Sequence, residues 1–251
     1  MGSSIPGGRE AHVLVCVLAG GASSRMGFPK LLATFPGPDG ADTCLLARAC
    51  RAALDSRATQ VAVVTGAYAD EMEPVLEGLR GGFKESCRCI AGIELADSAT
   101  APALRLVELR NDAWSQGQAT SVRIAAQYAL ANDFDAIIFM AADQPFVEAG
   151  HLNALIEAFV SMRAAETTEA TAVPFALRSR CGTRQGNPCL FPRETLPLFD
   201  TLTGDEGARQ LFHSGALVAV PTDIPGNPAR DPSCDLDTPE EFERFKAARN
   251  M

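Results

Sequence analysis

The sequence predicts a three-layer, doubly wound α/β fold built around a mostly parallel sheet. Short apolar runs, typical of strands buried on both faces, alternate along the chain with segments of helical periodicity. This alternation is typical of βα units that place helices on both faces of one sheet. The length of 251 residues and the 47% share of hydrophobic residues fit a globular protein of this class.

The elements follow in order from these patterns. The first strand is predicted at 13–18, a continuous apolar run that ends at a glycine pair. Residues 1–11 are expected to form a flexible tail and residues 12–251 a single domain. Thr43 is the expected N-cap of the first helix. Further strands are predicted at 61–65, 104–109, 135–141, 170–175, 188–191 and 216–220. Helices are predicted at 43–54, 69–79, 120–130, 149–165, 206–213 and from 239 onward. Residues 81–103 break the pattern and are interpreted as an insertion.

Charge and composition exclude several classes of protein. The net charge of −9 argues against a nucleic-acid partner, although the first 60 residues, with six basic and four acidic side chains, are net positive. No apolar run approaches the roughly 20 residues that span a bilayer, so no membrane partner is expected. Eight cysteines without a CxxC pair, beside three histidines, argue against structural zinc and favour a reducing, cytoplasmic location.

A glycine-rich segment directly after the first strand carries the strongest chemical signal. Residues 18–30 read LAGGASSRMGFPK, and glycines at such a turn let backbone amides approach phosphate oxygens. Arg25 and Lys30 add cationic donors. The spacing matches neither the Walker A loop nor the dinucleotide fingerprint. We interpret the segment as an anion-binding loop, and the plain alternative is a β-to-α turn with solvated basic residues.

Three more segments follow predicted strands, where ligands of such sheets bind. Residues 111–121 open a helix, so their amides can face an anion or a base edge, or Thr120 or Ser121 can simply cap the helix. Asp143 follows a buried strand, and a carboxylate there suits Mg²⁺ or forms a turn before proline. Asp235 and Asp237 alternate on an extended segment that precedes the last helix, which places both carboxylates on one side.

These segments, with residues 182–191 and 204–209, resemble the MobA-like NTP transferase superfamily. Within it they are most similar to the MocA-like molybdenum cofactor cytidylyltransferases, with LAGGxxxRMGxxK at 18–30, NxxWxxGxxxS at 111–121, DxP at 143–145 and DxDTP at 235–239. The resemblance runs from about residue 13 to residue 245 and implies a Rossmann-like, GT-A-like nucleotidyltransferase fold. The stretch 81–103 departs from the family pattern.

The resemblance assigns roles to particular residues. It implies that the N-terminal half binds the nucleotide and that residues from about 150 to 251 form the acceptor-binding side. The implied catalytic residues are Arg25, Lys30, Asp143 and Asp237, with Mg²⁺ on Asp143 and Asp237 and with Asp235 as a further candidate ligand. The implied nucleotide-binding residues are Leu18, Ala19, Gly20, Gly21, Ala22, Arg25, Lys30, Thr65, Gly66, Asn111, Gly117 and Ser121. The implied acceptor-binding residues are Arg178, Arg184, Asn187, Pro188, Asp205 and Arg209.

The resemblance also implies a reaction. Four features favour the CTP-using branch: the Lys30 spacing, the Val-Thr-Gly at 64–66, the Thr-Ser-Val helix start and the Asp-x-Asp-Thr-Pro ending. The Ala-Gly-Gly at 19–21 is more typical of the GTP-using guanylyltransferases. The expected reaction transfers CMP from CTP to the terminal phosphate of molybdopterin and releases pyrophosphate. The alternatives are a guanylyltransferase, a sugar- or polyol-phosphate nucleotidyltransferase, and a non-catalytic maturation factor for a client molybdenum hydroxylase.

Overall fold

A seven-stranded sheet organises the protein in the computed structural model, which describes residues 10–37, 41–90, 105–165, 174–226 and 230–247, without the side chains of 82–90. The strands are β1 (Val13–Leu18), β2 (Thr34–Pro36), β3 (Asp42–Cys44), β4 (Gln60–Thr65), β5 (Leu106–Arg110), β6 (Ala136–Ala141), β7 (Phe175–Cys181), β8 (Arg184–Pro192) and β9 (Val218–Asp223). The helices are α1 (Leu45–Leu54), α2 (Ala69–Ile90), α3 (Gln118–Ala131), α4 (Ala149–Ala165), α5 (Arg209–His213) and α6 (Pro239–Ala247).

The order of the sheet is β5-β4-β1-β6-β8-β7-β9. Its first four strands are parallel, β8 is antiparallel to both of its neighbours, and β7 and β9 are parallel. β2 and β3 form a separate antiparallel pair. The predicted doubly wound, mostly parallel α/β fold is therefore confirmed. Because parallel strands end at the same edge, the segments that follow β1, β4, β5 and β6 lie near one another.

Two hydrophobic layers enclose the sheet. Alternate residues of β1 point to opposite faces, so Val13, Val15 and Val17 join one core cluster while Leu14 and Cys16 join the other. The first cluster includes buried residues of α1, α2, α4 and α6. The second includes those of α3, α5 and a 3₁₀ segment at Arg193–Thr201. All five of these β1 side chains are fully buried, as the apolar pattern of a central parallel strand predicts.

The prediction for the strand at 170–175 was wrong in position. β7 begins at Phe175 and runs through Cys181, and residues 170–173 lie outside the described residues. Buried Leu177 and Ser179 alternate with the less buried Arg178, a period-two pattern that the abundance of arginine hides in the sequence. β8 likewise begins four residues earlier than predicted, because Arg184, Gln185 and Gly186 pair with β7.

The predicted helix caps were also wrong. Cys44 is the N-cap of α1, while the Thr43 hydroxyl accepts a hydrogen bond from Arg51 at 3.3 Å. Gly117 is the N-cap of α3 with φ 108°, a left-handed conformation that favours glycine. The Thr120 hydroxyl donates to the Gly117 carbonyl at 2.8 Å, so it lies inside the first turn.

Two boundaries differ from the predictions. α2 continues to Ile90, through the first part of the segment interpreted as an insertion, and residues 91–104 lie outside the described residues. The helix predicted at 206–213 begins at Arg209. Of the predicted tail, residues 1–9 also lie outside the described residues. In the described part of the chain, no helix is both long and apolar enough to cross a membrane.

Candidate active site

Two adjoining cavities open at the edge of the sheet where β1 and β6 end. The first has a volume of about 550 Å³ and the second about 420 Å³. The first is lined by the loop after β1 and by the start of α3, and the second by β8 and the segment before α5. Both are lined by Leu18, Arg25, Gln118, Ala141, Asp143, Asp205 and Asp237. Molecules in the two cavities would therefore share four charged side chains, those of Arg25, Asp143, Asp205 and Asp237.

Lys30 lines the first cavity and pairs with two carboxylates of the shared wall. Its ammonium donates to Asp143 Oδ2 at 2.6 Å, to the Leu236 carbonyl at 2.8 Å and to Asp237 Oδ1 at 3.2 Å. Arg25 adds a second cation, because its Nη1 donates to Asp237 Oδ2 at 2.8 Å. Lys30 is more than 100 positions from both Asp143 and Asp237 in the sequence, and it meets Asp143 because β1 and β6 are neighbours. The structure brings together all four predicted catalytic residues.

The two acidic residues before α6 have different surroundings. Burial acts to raise the pKa of Asp237, but hydrogen bonds and charges from Lys30 and Arg25 outweigh it and hold the pKa below its ordinary value. Burial raises the pKa of Asp235, and the nearby Asp143 charge adds to this effect. Asp235 Oδ1 accepts a hydrogen bond from the buried amide of Gln144 at 2.8 Å. Of these two aspartates, Asp237 is the one that pairs with Lys30 and Arg25.

The carboxylates offer a partial metal site. Among the described residues no group of three or more His, Cys, Asp or Glu side chains is arranged to hold a metal ion. The assignment of Asp235 as a further ligand stays a prediction: its Oδ1 accepts the hydrogen bond from Gln144, and it lines the second cavity beside Asp143 and Asp237. Asp143 and Asp237 fit a divalent cation by their chemistry, because hard carboxylate oxygens suit such ions. The remaining ligands would have to be oxygens of a bound phosphate or water.

The loop after β1 is held by backbone hydrogen bonds at its base. The Ala19 amide donates to the Val64 carbonyl at 2.9 Å, and the Gly20 carbonyl accepts from Ala67 at 3.2 Å. Gly21 and Ala22 line the first cavity, and their amides have no acceptor among the described residues. An array of free amides beside two cations is suited to the oxygens of a phosphate chain.

Three residues predicted to bind the nucleotide do not line the cavity. Thr65 and Asn111 are fully buried. The Asn111 amide donates to the Thr120 and Ser121 hydroxyls at 2.8 and 2.9 Å, and so joins the end of β5 to the start of α3. A Cβ on Gly66 would lie 2.5 Å from the Gly20 carbonyl oxygen, so this glycine permits a close approach of two loops. These three residues position the cavity wall. Ser121 and Gly117, by contrast, line the cavity as predicted.

The cavity also contains residues that were not predicted as site residues. Trp114, Ser115 and Gln118 line the first cavity, and Gln144 lines the second. Trp114 lies on a 3₁₀ turn at Trp114–Gln116, between the predicted strand and the predicted helix. Its position inside the segment 111–121 was a signal that could have identified it.

The arginines predicted to bind an acceptor separate into two groups. Arg178 and Arg209 line the second cavity together with Asn187 and Asp205, and neither arginine has a carboxylate partner among the described residues. Arg184 does not line it, because its guanidinium binds the buried Asp231 at 3.2 Å.

Two other residues near β8 also lie outside the cavity wall. Pro188 does not line the second cavity, and its carbonyl accepts a hydrogen bond from the buried Ser179 at 2.6 Å. Arg180 is bound to Asp223 through two hydrogen bonds of 2.6 and 2.8 Å. Of the three arginines predicted to bind the acceptor, Arg178 and Arg209 line the second cavity and have no carboxylate partner among the described residues.

Comparison with known proteins shows which proteins this chain is similar to. Purine catabolism protein PucB of Bacillus subtilis (strain 168) is 34% identical over 134 residues, which span 53% of this chain and 58% of that relative. A nucleotidyl transferase from Methanothermobacter has a TM-score of 0.64 at 18% identity, over 95% of this chain and 98% of that one. The 4-diphosphocytidyl-2C-methyl-D-erythritol synthase from Anaerococcus prevotii has a TM-score of 0.62 at 10% identity, over 96% and 97%.

The two solved structures share the Rossmann-like nucleotidyltransferase fold with this protein. The sequence of residues 15–220 matches the family described as the MobA-like NTP transferase domain, and this stretch contains the loop after β1, the start of α3 and Asp143. This protein therefore belongs to the MobA-like NTP transferase family of nucleotidyltransferases.

Proposed function

We propose that this protein transfers CMP from CTP to the terminal phosphate of molybdopterin and releases pyrophosphate. The observation that carries the proposal is the position of Lys30. Its ammonium joins Asp143 and Asp237 where the two cavities meet. The loop after β1 lies on one side, and on the other lie Arg178 and Arg209, which have no carboxylate partner among the described residues. This arrangement fits two anionic substrates that react across a shared, charged wall.

In this proposal the first cavity holds the triphosphate. The free amides of the loop after β1 bind the phosphate oxygens, and Arg25 and Lys30 stabilise the charge that moves onto the departing pyrophosphate. Asp143 and Asp237 would hold Mg²⁺, which supplies charge neutralisation at the phosphates when it is bound. Thr65, Gly66 and Asn111 keep the loops around the nucleotide in register.

The second cavity holds the acceptor phosphate in this proposal. Arg178 and Arg209 bind its oxygens, and Asn187 and Asp205 contact the rest of the acceptor. An acceptor oxygen forms a bond to the α-phosphorus of CTP as the bond from that phosphorus to the bridging oxygen of pyrophosphate breaks. The acceptor phosphate is already anionic, so the step needs no strong general base, and positioning with charge stabilisation supplies the catalysis.

The choice of CTP rests on four sequence features against one. The opposing feature is Gly20, where the cytidylyltransferase branch usually has alanine. A Cβ on Gly20 would lie 3.2 Å from the Ser121 hydroxyl oxygen, so an alanine there would press on a residue of the cavity wall. The second candidate is therefore a GTP-using guanylyltransferase, because glycine leaves free the space beside Ser121 that an alanine methyl would take.

The decisive experiment measures pyrophosphate release with CTP, GTP, ATP and UTP, each with and without molybdopterin. We expect release with CTP that depends on molybdopterin and on Mg²⁺. Lys30→Ala and Asp143→Asn should abolish it, whereas Asp223→Asn, which alters an exposed carboxylate that binds Arg180 outside both cavities, should not. Preference for GTP would establish the guanylyltransferase instead.

Two other outcomes would contradict the proposal in different ways. Turnover with a sugar or polyol phosphate, but not with molybdopterin, would indicate a different acceptor. Binding of CTP without any release of pyrophosphate would favour a maturation factor that hands the cofactor to a molybdenum hydroxylase.

A further inference from the structure

Trp114 is an exposed aromatic side chain in the wall of the first cavity. It is the only tryptophan of the chain, and 37% of it remains exposed. Among the described residues, only Phe28 and Val218 are comparable exposed large hydrophobic residues, and neither lines the first cavity. An apolar ring of this size gains free energy when a ligand covers it.

The backbone holds Trp114 firmly in this place. Its amide donates to the Asn111 carbonyl at 3.3 Å, and its carbonyl accepts from Gly117 at 3.2 Å. A Cβ on Gly66 would lie 2.8 Å from Trp114 Cβ and 2.5 Å from the Gly20 carbonyl oxygen. Trp114 and Gly20, at the start of the loop after β1, therefore both pack against Gly66. A tryptophan whose backbone and Cβ are fixed beside this loop can meet a ligand that also reaches the amides.

The chemistry of the surrounding wall indicates which part of a ligand meets the ring. Residues 114–121 contain no cationic side chain, whereas the cations of the first cavity, Arg25 and Lys30, belong to the segment after β1. A phosphate chain would lie beside the cations and the free amides. The uncharged part of a nucleotide would then lie along 114–121, where an indole can cover one face of a flat base.

We propose that Trp114 is the stacking surface for the nucleobase, an inference that rests on the proposed function. Stacking uses the face of the base, which all four nucleobases have, whereas hydrogen bonds to the base edge distinguish them. Trp114 therefore contributes affinity for every nucleoside triphosphate. Selection between CTP and GTP is left to polar groups of the wall such as Ser121.

Substitution separates this role from binding of the phosphates. Trp114→Leu keeps an apolar side chain without a ring, and Trp114→Phe keeps a ring. We expect Trp114→Leu to raise the Kd for CTP and for GTP by comparable factors, roughly 5- to 150-fold, which corresponds to the loss of one base–aromatic stack. The Kd for inorganic tripolyphosphate should not change. Trp114→Phe should bind CTP within a few-fold of the wild-type protein. Thermal unfolding of both variants checks that the fold is intact.

Fluorescence of the single tryptophan gives a test on the unaltered protein. Titration with CTP should quench the emission to saturation, and tripolyphosphate should bind in calorimetry without comparable quenching. Equal quenching by both ligands, or unchanged nucleotide affinity in Trp114→Leu, would overturn the stacking role and leave the proposed function standing. Failure of the wild-type protein to bind any nucleoside triphosphate would overturn both.

Discussion

Replacement of Lys30 by methionine tests the ammonium that joins the carboxylates of the site. Methionine keeps an unbranched side chain and removes the charge. The Lys30 side chain is only 10% exposed and makes three hydrogen bonds. Its loss leaves Asp143, whose side chain is 20% exposed, without its cation, while Asp237 keeps Arg25. A mostly buried carboxylate without a partner destabilises the folded state.

The magnitude follows from burial. Removal of one partner from a fully buried ion pair costs about 3–5 kcal/mol. Water still reaches part of Asp143, and the Asp237 side chain is 44% exposed, so solvent screening reduces this cost. We expect Lys30→Met to lower the free energy of unfolding by about 2–3 kcal/mol at neutral pH. For a protein of this size that corresponds to a decrease in Tm of about 4–12 °C.

The effect should depend on pH with a definite sign. Lys30 and Arg25 hold the pKa of Asp237 below its ordinary value. A carboxyl group whose pKa is lower in the folded state stabilises the fold above the unfolded pKa of about 3.9 and loses this contribution as the pH falls through the folded pKa. The difference between the variant and the wild-type protein should therefore be large at neutral pH and should shrink in acid.

Urea unfolding at several pH values measures this difference. Lys246→Met is a matched control, because the Lys246 ammonium pairs with Glu243 three residues away and lies over the ring of Phe242, contacts that should together contribute about 1 kcal/mol or less. Equal urea midpoints for Lys30→Met and the wild-type protein at neutral pH would refute the reasoning. So would a difference that persists unchanged in acid, since it could not come from ionised carboxylates.

Three further predictions concern other parts of the structure. Burial lowers the pKa of His151, so the urea midpoint of the wild-type protein should decrease as the pH falls below 6.5. His151→Gln should make this decrease smaller. Parallel pH profiles of the two proteins would contradict the prediction. Gly66→Ala forces a Cβ into the contact between two loops and should destabilise the fold by about 1–3 kcal/mol in thermal unfolding. The control Gly78→Ala places a Cβ in open space on α2 and should stabilise the fold slightly in the same assay. Arg178→Gln should raise the KM for the acceptor about tenfold or more and leave the Kd for CTP unchanged. The control Arg180→Gln should change neither value, because the Arg180 side chain binds Asp223. A weaker affinity of Arg178→Gln for CTP would assign Arg178 to nucleotide binding.

Much of the fold could be predicted from the sequence because its signals are local. β1 and β6 are continuous apolar runs, and strands buried on both faces require that composition. The predictions failed where the decisive partner is distant in sequence. Arg178 lies in a strand because β7 pairs with β8 and β9, and nothing in its own neighbourhood indicates that pairing. The N-cap Gly117 was overlooked because its left-handed backbone conformation cannot be read from nearby threonine and serine residues.

The candidate site, like the fold, could be predicted from the sequence only in part. The sequence by itself determined which residue types could serve it, since a glycine-rich turn, a lysine and carboxylates after buried strands have limited chemical uses. Only the tertiary structure decided which of them act together. It joined Lys30 to Asp143, paired Asp235 with the buried amide of Gln144 and bound Arg184 to Asp231, while Arg178 has no carboxylate partner among the described residues. Such partners are chosen by the order of strands and the packing of loops, which bring together charges that are far apart along the chain.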